Sequence, residues 1–212
     1  MLGLPTGNTP VPLYRELARL CREEGLSFAR ARTFNLDEYL DLPPGDPRSF
    51  RTWMQQQFFG QVDLAPANVH VPRASGEGEA EARRYAAELA AAGGIDLQLL
   101  GIGRNGHIGF NEPGSARDSR ARVVELARET RADAAALFGG LEHVPRRAIT
   151  LGIAEILEAR AIRVLAFGKA KAPIVKRMLQ GEVGPDCPAS YLRGHSDLRL
   201  LLDADAASAL SS

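Results

Sequence analysis

The sequence predicts an α/β protein: a single doubly wound domain with a mainly parallel sheet and helices on both faces. Short apolar runs alternate with stretches of helical periodicity along the chain. No internal repeat, low-complexity segment or linker interrupts the 212 residues. Alternating strands and helices are typical of parallel sheets covered on both faces, and this length suits one domain. We therefore expect residues 1–212 to form one domain.

The first half of the chain is predicted to contain strand, helix, strand and two further helices, over residues 1–4, 10–24, 27–34, 47–59 and 79–92. Leucines recur at helical spacing in the first helix, with Thr9 as its N-cap, Pro10 at its first position and Gly25 as its stop. Prolines, a glycine and aspartates in residues 35–47 predict a loop. The alanine-rich helix ends at Gly93 and Gly94.

The second half is predicted to continue with strand, helix, strand, helix and strand, over residues 95–103, 150–159, 162–167, 169–180 and 198–203. The strands are short apolar runs, and the helices have apolar residues at helical spacing. Residues 116–149 show no clear periodicity, and we expect them to be irregular.

Composition excludes several classes of function. The 26 basic and 26 acidic side chains balance, so nothing indicates a nucleic-acid partner. Cys21 and Cys187 lie far apart without metal-type spacing, and we expect both to be reduced. No apolar run approaches the roughly 18 residues of a membrane span, and no signal peptide is evident. We expect a cytoplasmic protein without a membrane partner.

The loops that follow strands are the expected ligand-binding segments in such a sheet. Residues 5–10, "PTGNTP", place a glycine, two hydroxyl groups and an asparagine just before a helix. Unpaired amides and the helix dipole make this position suitable for an anion. A plain capped helix start is the alternative interpretation.

Asp37 and Glu38 are adjacent acids after the second predicted strand. Neighbours in an extended segment face opposite ways, so only one of them can point into a cleft at the end of the sheet. Solvated surface acids are the alternative interpretation.

The segment "GIGRNGHIGFNEPGS", residues 101–115, follows another strand. Its glycines let a ligand approach the backbone, and the turn holds His107 near the strand end. Glu112 can accept a hydrogen bond from the imidazole, and such a pair is a common general acid/base. A core histidine in a glycine-rich turn is the alternative, but it leaves Glu112 unexplained.

Three ordered motifs, "LGLPTGNTP", "FNLDEYLDLP" and "GIGRNGHIGFNEPGS", resemble the glucosamine-6-phosphate deaminase family. The similarity continues through "ITLGIAEILEA" and "FGKAKA" over nearly the whole chain. The family has a doubly wound α/β fold and converts glucosamine 6-phosphate to fructose 6-phosphate and ammonia, without metal or organic cofactor. The related 6-phosphogluconolactonases share the architecture but lack "FNEPG" and the "DEY" element.

The resemblance implies a role for each group. His107 opens the sugar ring, held in place by Asn105 and Glu112, and Asp37 takes the C2 proton. The phosphate and the sugar contact a further set of residues, namely Thr6, Gly7, Asn8, Thr9, Gly101 and Lys171. The implied partner is a small amino-sugar phosphate.

The chain also departs from the family pattern. Many relatives have aspartate at the position of Asn105, and Ala136 stands where the family carries a second phosphate ligand, an arginine. Arg131 and Lys169 are candidate replacements for that cation. Val124 replaces an effector-binding lysine, and the C-terminal extension of the hexameric members is missing, so we expect a monomer or small homo-oligomer without allosteric control. The strand and helix that begin the relatives are expected to be absent.

Two other functions remain open from the residues alone. One is a different hydrolase or isomerase on the same scaffold, such as a 6-phosphogluconolactonase. The other is a non-enzymatic sugar-phosphate sensor, which would need a DNA-binding segment that the sequence does not show before Met1. A sensor would have little reason to keep Asp37 and His107 together.

Overall fold

A computed structural model of the chain describes residues 1–211. Its strands are β1 (Leu2–Leu4), β2 (Thr33–Asn35), β3 (Asp37–Tyr39), β4 (Val69–His70), β5 (Leu97–Gly101), β6 (Arg122–Glu125), β7 (Arg147–Thr150), β8 (Ala161–Ala166) and β9 (Leu198–Leu202). Its α-helices are α1 (Val11–Glu23), α2 (Phe50–Gln57), α3 (Gly78–Ala91), α4 (Arg128–Phe138), α5 (Ile153–Leu157), α6 (Ala172–Gln180) and α7 (Ala204–Ala207). Short 3₁₀ helices are formed by Phe59–Gln61, Pro66–Asn68, Leu141–His143, Lys169–Lys171 and Pro188–Gly194. Within this part of the chain, no helix is long and apolar enough to cross a membrane.

The main sheet has six strands in the order β4-β2-β1-β5-β8-β9, and every neighbouring pair is parallel. The chain therefore winds outward from β1 in one direction and from β5 in the other. This arrangement confirms the predicted α/β class with a doubly wound parallel sheet. In such a sheet the ligand crevice lies where the two directions meet, beyond the carboxyl ends of β1 and β5.

A second sheet was not predicted. It has three antiparallel strands in the order β3-β7-β6. The expectation of a loop over residues 35–47 was wrong because β3 lies there, and the expectation of an irregular segment over 116–149 was wrong because it holds β6, α4 and most of β7. Both strand pairings join residues far apart in sequence, and each strand is only three or four residues long. β3 lies in a stretch rich in proline and aspartate, and β6 and β7 begin or end with charged residues, so no apolar run marks these strands in the sequence.

Two predicted boundaries were also wrong. Pro10 is the N-cap of α1 and accepts a hydrogen bond from the Tyr14 amide at 2.9 Å, so the helix starts at Val11 and Thr9 does not cap it. The strand predicted over residues 27–34 is confined to β2, because residues 29 and 30 form a turn. The Phe28 amide donates to Asp63 at 2.6 Å instead of joining the sheet.

Leu36 is the single residue between β2 of the main sheet and β3 of the second sheet. Its amide donates to the Leu4 carbonyl at 3.3 Å, and its carbonyl accepts from the Leu151 amide at 2.8 Å. Leu4 ends β1, and Leu151 follows β7. The backbone of Leu36 therefore joins the two sheets directly beside the crevice.

An aromatic cluster supports the turn that follows β1. Phe58 is fully buried, stacks on Tyr14 at 4.9 Å between ring centroids, and meets Phe28 edge-on at 5.3 Å. The Tyr14 hydroxyl donates to the Pro5 carbonyl at 2.7 Å. The packing of this cluster thus fixes the start of the "PTGNTP" turn.

We expect Phe58→Ala to lower the free energy of unfolding by about 3–5 kcal/mol, because the substitution removes a buried ring and leaves a cavity. Urea unfolding measures this loss. Val183→Ala is the control, because Val183 is 55% exposed and its truncation should change stability by less than about 0.5 kcal/mol. Equal losses in the two variants would contradict the assignment of Phe58 to the core.

Candidate active site

A cavity of about 570 Å³ lies beyond the carboxyl ends of β1 and β5. Its walls come from the turn after β1, from β3, from the loop after β5, from α4 and from the segment before α6. Most of the predicted site residues line it, namely Thr6, Gly7, Asn8, Thr9, Asp37, Gly101, His107 and Lys171. Asn105 lines an adjoining cavity together with His107, and Glu112 lies next to both side chains. The fold therefore brings all ten predicted residues to one place.

The turn after β1 presents backbone donors to this cavity. Gly7 has a φ of +95°, a left-handed conformation that favours glycine. No hydrogen bond within residues 1–211 uses the amide N–H of Gly7, Asn8 or Thr9. These amides precede α1, whose dipole favours negative charge at its N-terminus. The turn has the features of an anion site.

Asp37 and Glu38 lie on β3, and both are buried, so they are not solvated surface acids. Alternation along the strand sends them to opposite sides, as the sequence predicts. Glu38 accepts hydrogen bonds from the amides of Phe50 and Arg51 at 2.9 Å, and so caps the first turn of α2. Asp37 lines the cavity, and no hydrogen bond within residues 1–211 uses its carboxylate.

The electrostatics of the two carboxyl groups differ from those of surface acids. Burial, followed by the nearby charge of Glu38, raises the pKa of Asp37 to about 8. Burial also raises the pKa of Glu38 to about 7, although hydrogen bonds from three amides act in the opposite direction. A carboxyl group with a pKa near neutrality suits proton transfer at a carbon acid.

Glycines shape the loop after β5 for steric reasons. A Cβ atom on Gly103 would overlap the imidazole of His107, so glycine lets the ring pack against the backbone. Gly106 has a φ of +93°, and a Cβ atom there would lie 2.8 Å from the Cys187 sulfur. The loop is closed by a hydrogen bond from the Gly103 amide to the His107 carbonyl at 3.0 Å. The conformation of the loop thus holds His107 at the edge of the cavity.

Asn105 and Glu112 orient His107. The Glu112 Oε2 atom lies 3.5 Å from His107 Nδ1 and accepts a hydrogen bond from Asn105 Nδ2 at 2.8 Å. Asn105 Oδ1 accepts from the His107 amide at 3.1 Å. Burial raises the pKa of Glu112, but hydrogen bonds from neighbours including His107 outweigh that effect, and its pKa lies below the usual value. Glu112 is therefore a negatively charged partner for the imidazole at neutral pH.

Thr130 on α4 is a contact that the sequence analysis missed. Its Oγ1 atom lies 3.5 Å from His107 Nδ1, and its hydroxyl also lowers the pKa of Glu112. Glu129 in the first turn and Gly139 and Gly140 at the end were signals that could have predicted α4. The helix covers the histidine side of the cavity.

Lys171 lines the cavity from the segment just before α6. Its Nζ atom donates to the Ile102 carbonyl at 2.8 Å, which fixes the ammonium beside the loop after β5. Burial lowers the pKa of Lys171, and the charge of Asp133 opposes this shift. The ammonium is a compact positive charge in the same cavity as the turn after β1.

Ala136 lines the cavity as well, on α4. Neither predicted replacement for the family arginine lies among the lining residues: Arg131 donates to the Leu141 carbonyl at 3.0 Å, and Lys169 is exposed. The cavity instead contains two arginines that the sequence analysis did not consider, Arg48 and Arg104.

Comparison with known proteins places the chain among sugar-phosphate enzymes. Residues 1–200 match the model of the family described as glucosamine-6-phosphate isomerases/6-phosphogluconolactonase. Glucosamine-6-phosphate deaminase of Hahella chejuensis is 48% identical over 210 residues, which are 99% of this chain and 80% of the relative.

Two solved structures illustrate a near and a more distant match. A monomeric glucosamine-6-phosphate deaminase superimposes with a TM-score of 0.96 at 46% identity, covering 99% of this chain and 87% of that one. The 6-phosphogluconolactonase of Trypanosoma brucei is more distant, with a TM-score of 0.75 at 25% identity, covering 99% and 86%. The parallel sheet, the cavity at its switch point and these matches lead to one conclusion: the chain belongs to the glucosamine-6-phosphate isomerase/6-phosphogluconolactonase family.

Proposed function

We propose that the chain is a glucosamine-6-phosphate deaminase, which converts glucosamine 6-phosphate and water to fructose 6-phosphate and ammonia. The proposal rests on the presence of Asp37 and His107 in one cavity. Asp37 is a buried carboxyl group without a hydrogen-bond partner in residues 1–211, and His107 is oriented by Glu112. Lactone hydrolysis requires no base directed at a C2 hydrogen. An amino-sugar isomerisation requires both groups.

The phosphate of the substrate is held by the turn after β1. The amides of Gly7, Asn8 and Thr9 point toward it at the N-terminus of α1, together with the hydroxyl groups of the turn. Lys171 supplies positive charge in the same cavity. With the phosphate at this end, the sugar lies along the cavity toward Asp37 and His107, and Gly101 lets it approach the backbone.

His107 opens the pyranose ring. The imidazole takes the proton of the O1 hydroxyl group and delivers a proton to O5 as the C1–O5 bond breaks, which leaves an aldehyde at C1. Glu112 stabilises the imidazolium that forms between the two transfers, and Asn105 keeps Glu112 in place.

Asp37 then carries out the isomerisation. Its carboxylate removes the C2 proton, which the C1 aldehyde acidifies, and an enol-type intermediate forms. Return of a proton to C1 gives the C2 imine, and the addition of water to C2 releases ammonia and leaves the ketose. These steps require only water and proton transfers, so we propose no metal or organic cofactor.

We further propose that residues 1–212 act as one domain, as a monomer or small homo-oligomer in the cytoplasm. Cys21 and Cys187 are free thiols, which supports a reducing compartment. Val124, which replaces an effector-binding lysine of hexameric relatives, lies on β6 outside the cavity, and we propose no allosteric effector.

Ammonia release from glucosamine 6-phosphate tests the proposed function. Galactosamine 6-phosphate, unphosphorylated glucosamine and 6-phosphogluconolactone are the comparison substrates. We expect turnover of the first compound and dependence on the phosphate. Hydrolysis of the lactone without ammonia release from the amino sugar would overturn the proposal.

We expect Asp37→Asn to lower kcat roughly 10²- to 10⁴-fold with little change in KM, because an amide cannot take the C2 proton. Exchange of the C2 hydrogen with deuterated water should be lost in parallel. Asp118→Asn, at an exposed carboxyl group, is the control. Wild-type exchange rates in Asp37→Asn would rule out Asp37 as the base.

We expect His107→Gln to reduce turnover of cyclic glucosamine 6-phosphate far more than turnover of an analogue fixed in the open-chain form, because His107 acts in ring opening. Comparison of kcat/KM for the two compounds measures this difference. His143→Gln is the control, because the side chain of His143 is 60% exposed. Equal losses on both compounds would assign His107 to a later step.

We expect kcat/KM to rise with pH with an apparent pKa of about 8, because the base works only when Asp37 has lost its proton. Glu38→Gln removes the negative charge that contributes to the raised pKa of Asp37. The apparent pKa of the kcat/KM profile should therefore fall but stay above 3.8. Glu142→Gln, at a side chain that is 71% exposed, should leave the profile unchanged. An unchanged profile in Glu38→Gln would show that the rise of kcat/KM with pH does not reflect the ionisation of Asp37.

A further inference from the structure

Three cationic side chains line the cavity: Arg48, Arg104 and Lys171. Lys171 is fixed by its hydrogen bond to the Ile102 carbonyl. A phosphate monoester carries up to two negative charges, and the amides and hydroxyl groups of the turn after β1 are neutral, so a single ammonium leaves part of that charge without a cationic partner. The two arginines differ in how strongly their present ion pairs hold them, and so in their ability to bind the phosphate group.

Arg48 already interacts with Asp46 and Phe138. It donates to the buried carboxylate of Asp46 through Nε at 2.8 Å and through Nη2 at 2.5 Å, and its guanidinium lies 5.0 Å from the ring centroid of Phe138. Moving Arg48 toward a ligand would leave the largely buried Asp46 without its cation. Such a loss is costly, so Arg48 is poorly suited to bind substrate.

Arg104 is held much more weakly. Its guanidinium donates to both carboxylate oxygens of Asp133, but the two side chains are 64% and 47% exposed. Exposed ion pairs contribute little to stability, so this pair can exchange at small cost. Arg104 is also two residues after Ile102, which anchors Lys171, and the charges of Arg104 and Asp133 both act on Lys171. The arginine is thus close to the ammonium.

Asp133 is an unexpected residue in a cavity proposed to take an anion. It projects from α4 one turn before Ala136 and repels a phosphate group unless a cation neutralises it. The Arg104 guanidinium neutralises it through their ion pair. The pairing holds Arg104 at the wall of the cavity that Lys171 also lines.

We propose that Arg104 is a phosphate-binding residue that leaves Asp133 and pairs with the phosphate group of the substrate. This inference rests on the proposed function, because it assumes that the ligand is a sugar phosphate monoester. The planar guanidinium can donate two parallel hydrogen bonds to the phosphate oxygens. Asp133 competes with the phosphate group for Arg104 and so lowers the affinity of the cavity for phosphate.

Isothermal titration calorimetry with fructose 6-phosphate, fructose and inorganic phosphate tests the proposal. We expect Arg104→Gln to weaken binding of fructose 6-phosphate roughly 5- to 30-fold and to leave the weak binding of fructose unchanged. Asp133→Asn should strengthen binding of fructose 6-phosphate by about 2- to 5-fold, because it frees Arg104 and removes a negative charge. Arg120→Gln breaks a similarly exposed ion pair with Glu158 outside the cavity and should change nothing.

The opposite signs of the two effects distinguish this role from a structural one. If the ion pair only tethers α4, Arg104→Gln and Asp133→Asn will weaken binding to the same extent, and that result would overturn the proposal. Binding of fructose 6-phosphate by Arg104→Gln within about twofold of wild type would also overturn it. If the wild-type protein releases no ammonia but the opposite shifts are seen, the phosphate role of Arg104 stands and the deaminase assignment fails.

Discussion

The site depends on the backbone hydrogen bonds of Leu36, which join the parallel sheet to the antiparallel one. The amide of Leu36 bonds to the end of β1, and its carbonyl bonds to the residue after β7. The turn of residues 5–10 begins directly after β1, and Asp37 directly follows Leu36. The separation between that turn and the Asp37 carboxyl group is therefore set by regular backbone pairing and not by flexible side chains. This arrangement suits a reaction in which the substrate must be aligned to within a fraction of an ångström.

Neighbouring side chains on β3 have different roles because the strand alternates. Glu38 is satisfied by the amides at the start of α2, whereas Asp37 faces the cavity. A buried polar group without a partner is costly, and a native structure retains one where function requires it. The same logic applies to the loop after β5, where Gly103 makes room for the His107 ring. A buried carboxyl group and a closely packed imidazole thus both lie at the switch point of the parallel sheet.

The sequence predicted the parallel sheet and the positions of the reactive groups better than it predicted the second sheet. The strands ending at Leu4 and Gly101 carry clear apolar runs followed by glycine-rich turns, and both were found. β3, β6 and β7 were missed because each takes its stability from long-range pairing and burial, which no short window of sequence reports. Thr130 was missed for the same reason, since its contact with His107 depends on where α4 packs. Arg104 lay within the quoted motif, but only the cavity revealed its pairing with Asp133.

Burial of Asp37 also links the folding equilibrium to proton uptake. Its ordinary pKa of 3.8 is raised to about 8 in the folded protein, so between these values the native state binds a proton that the unfolded chain has lost. By linkage, stability falls as pH rises through this window and levels off above it. Glu38, whose pKa is raised to about 7, acts in the same direction. The carboxylate form of Asp37 is therefore the form that folding disfavours, and loss of its proton at high pH is coupled to a loss of thermodynamic stability.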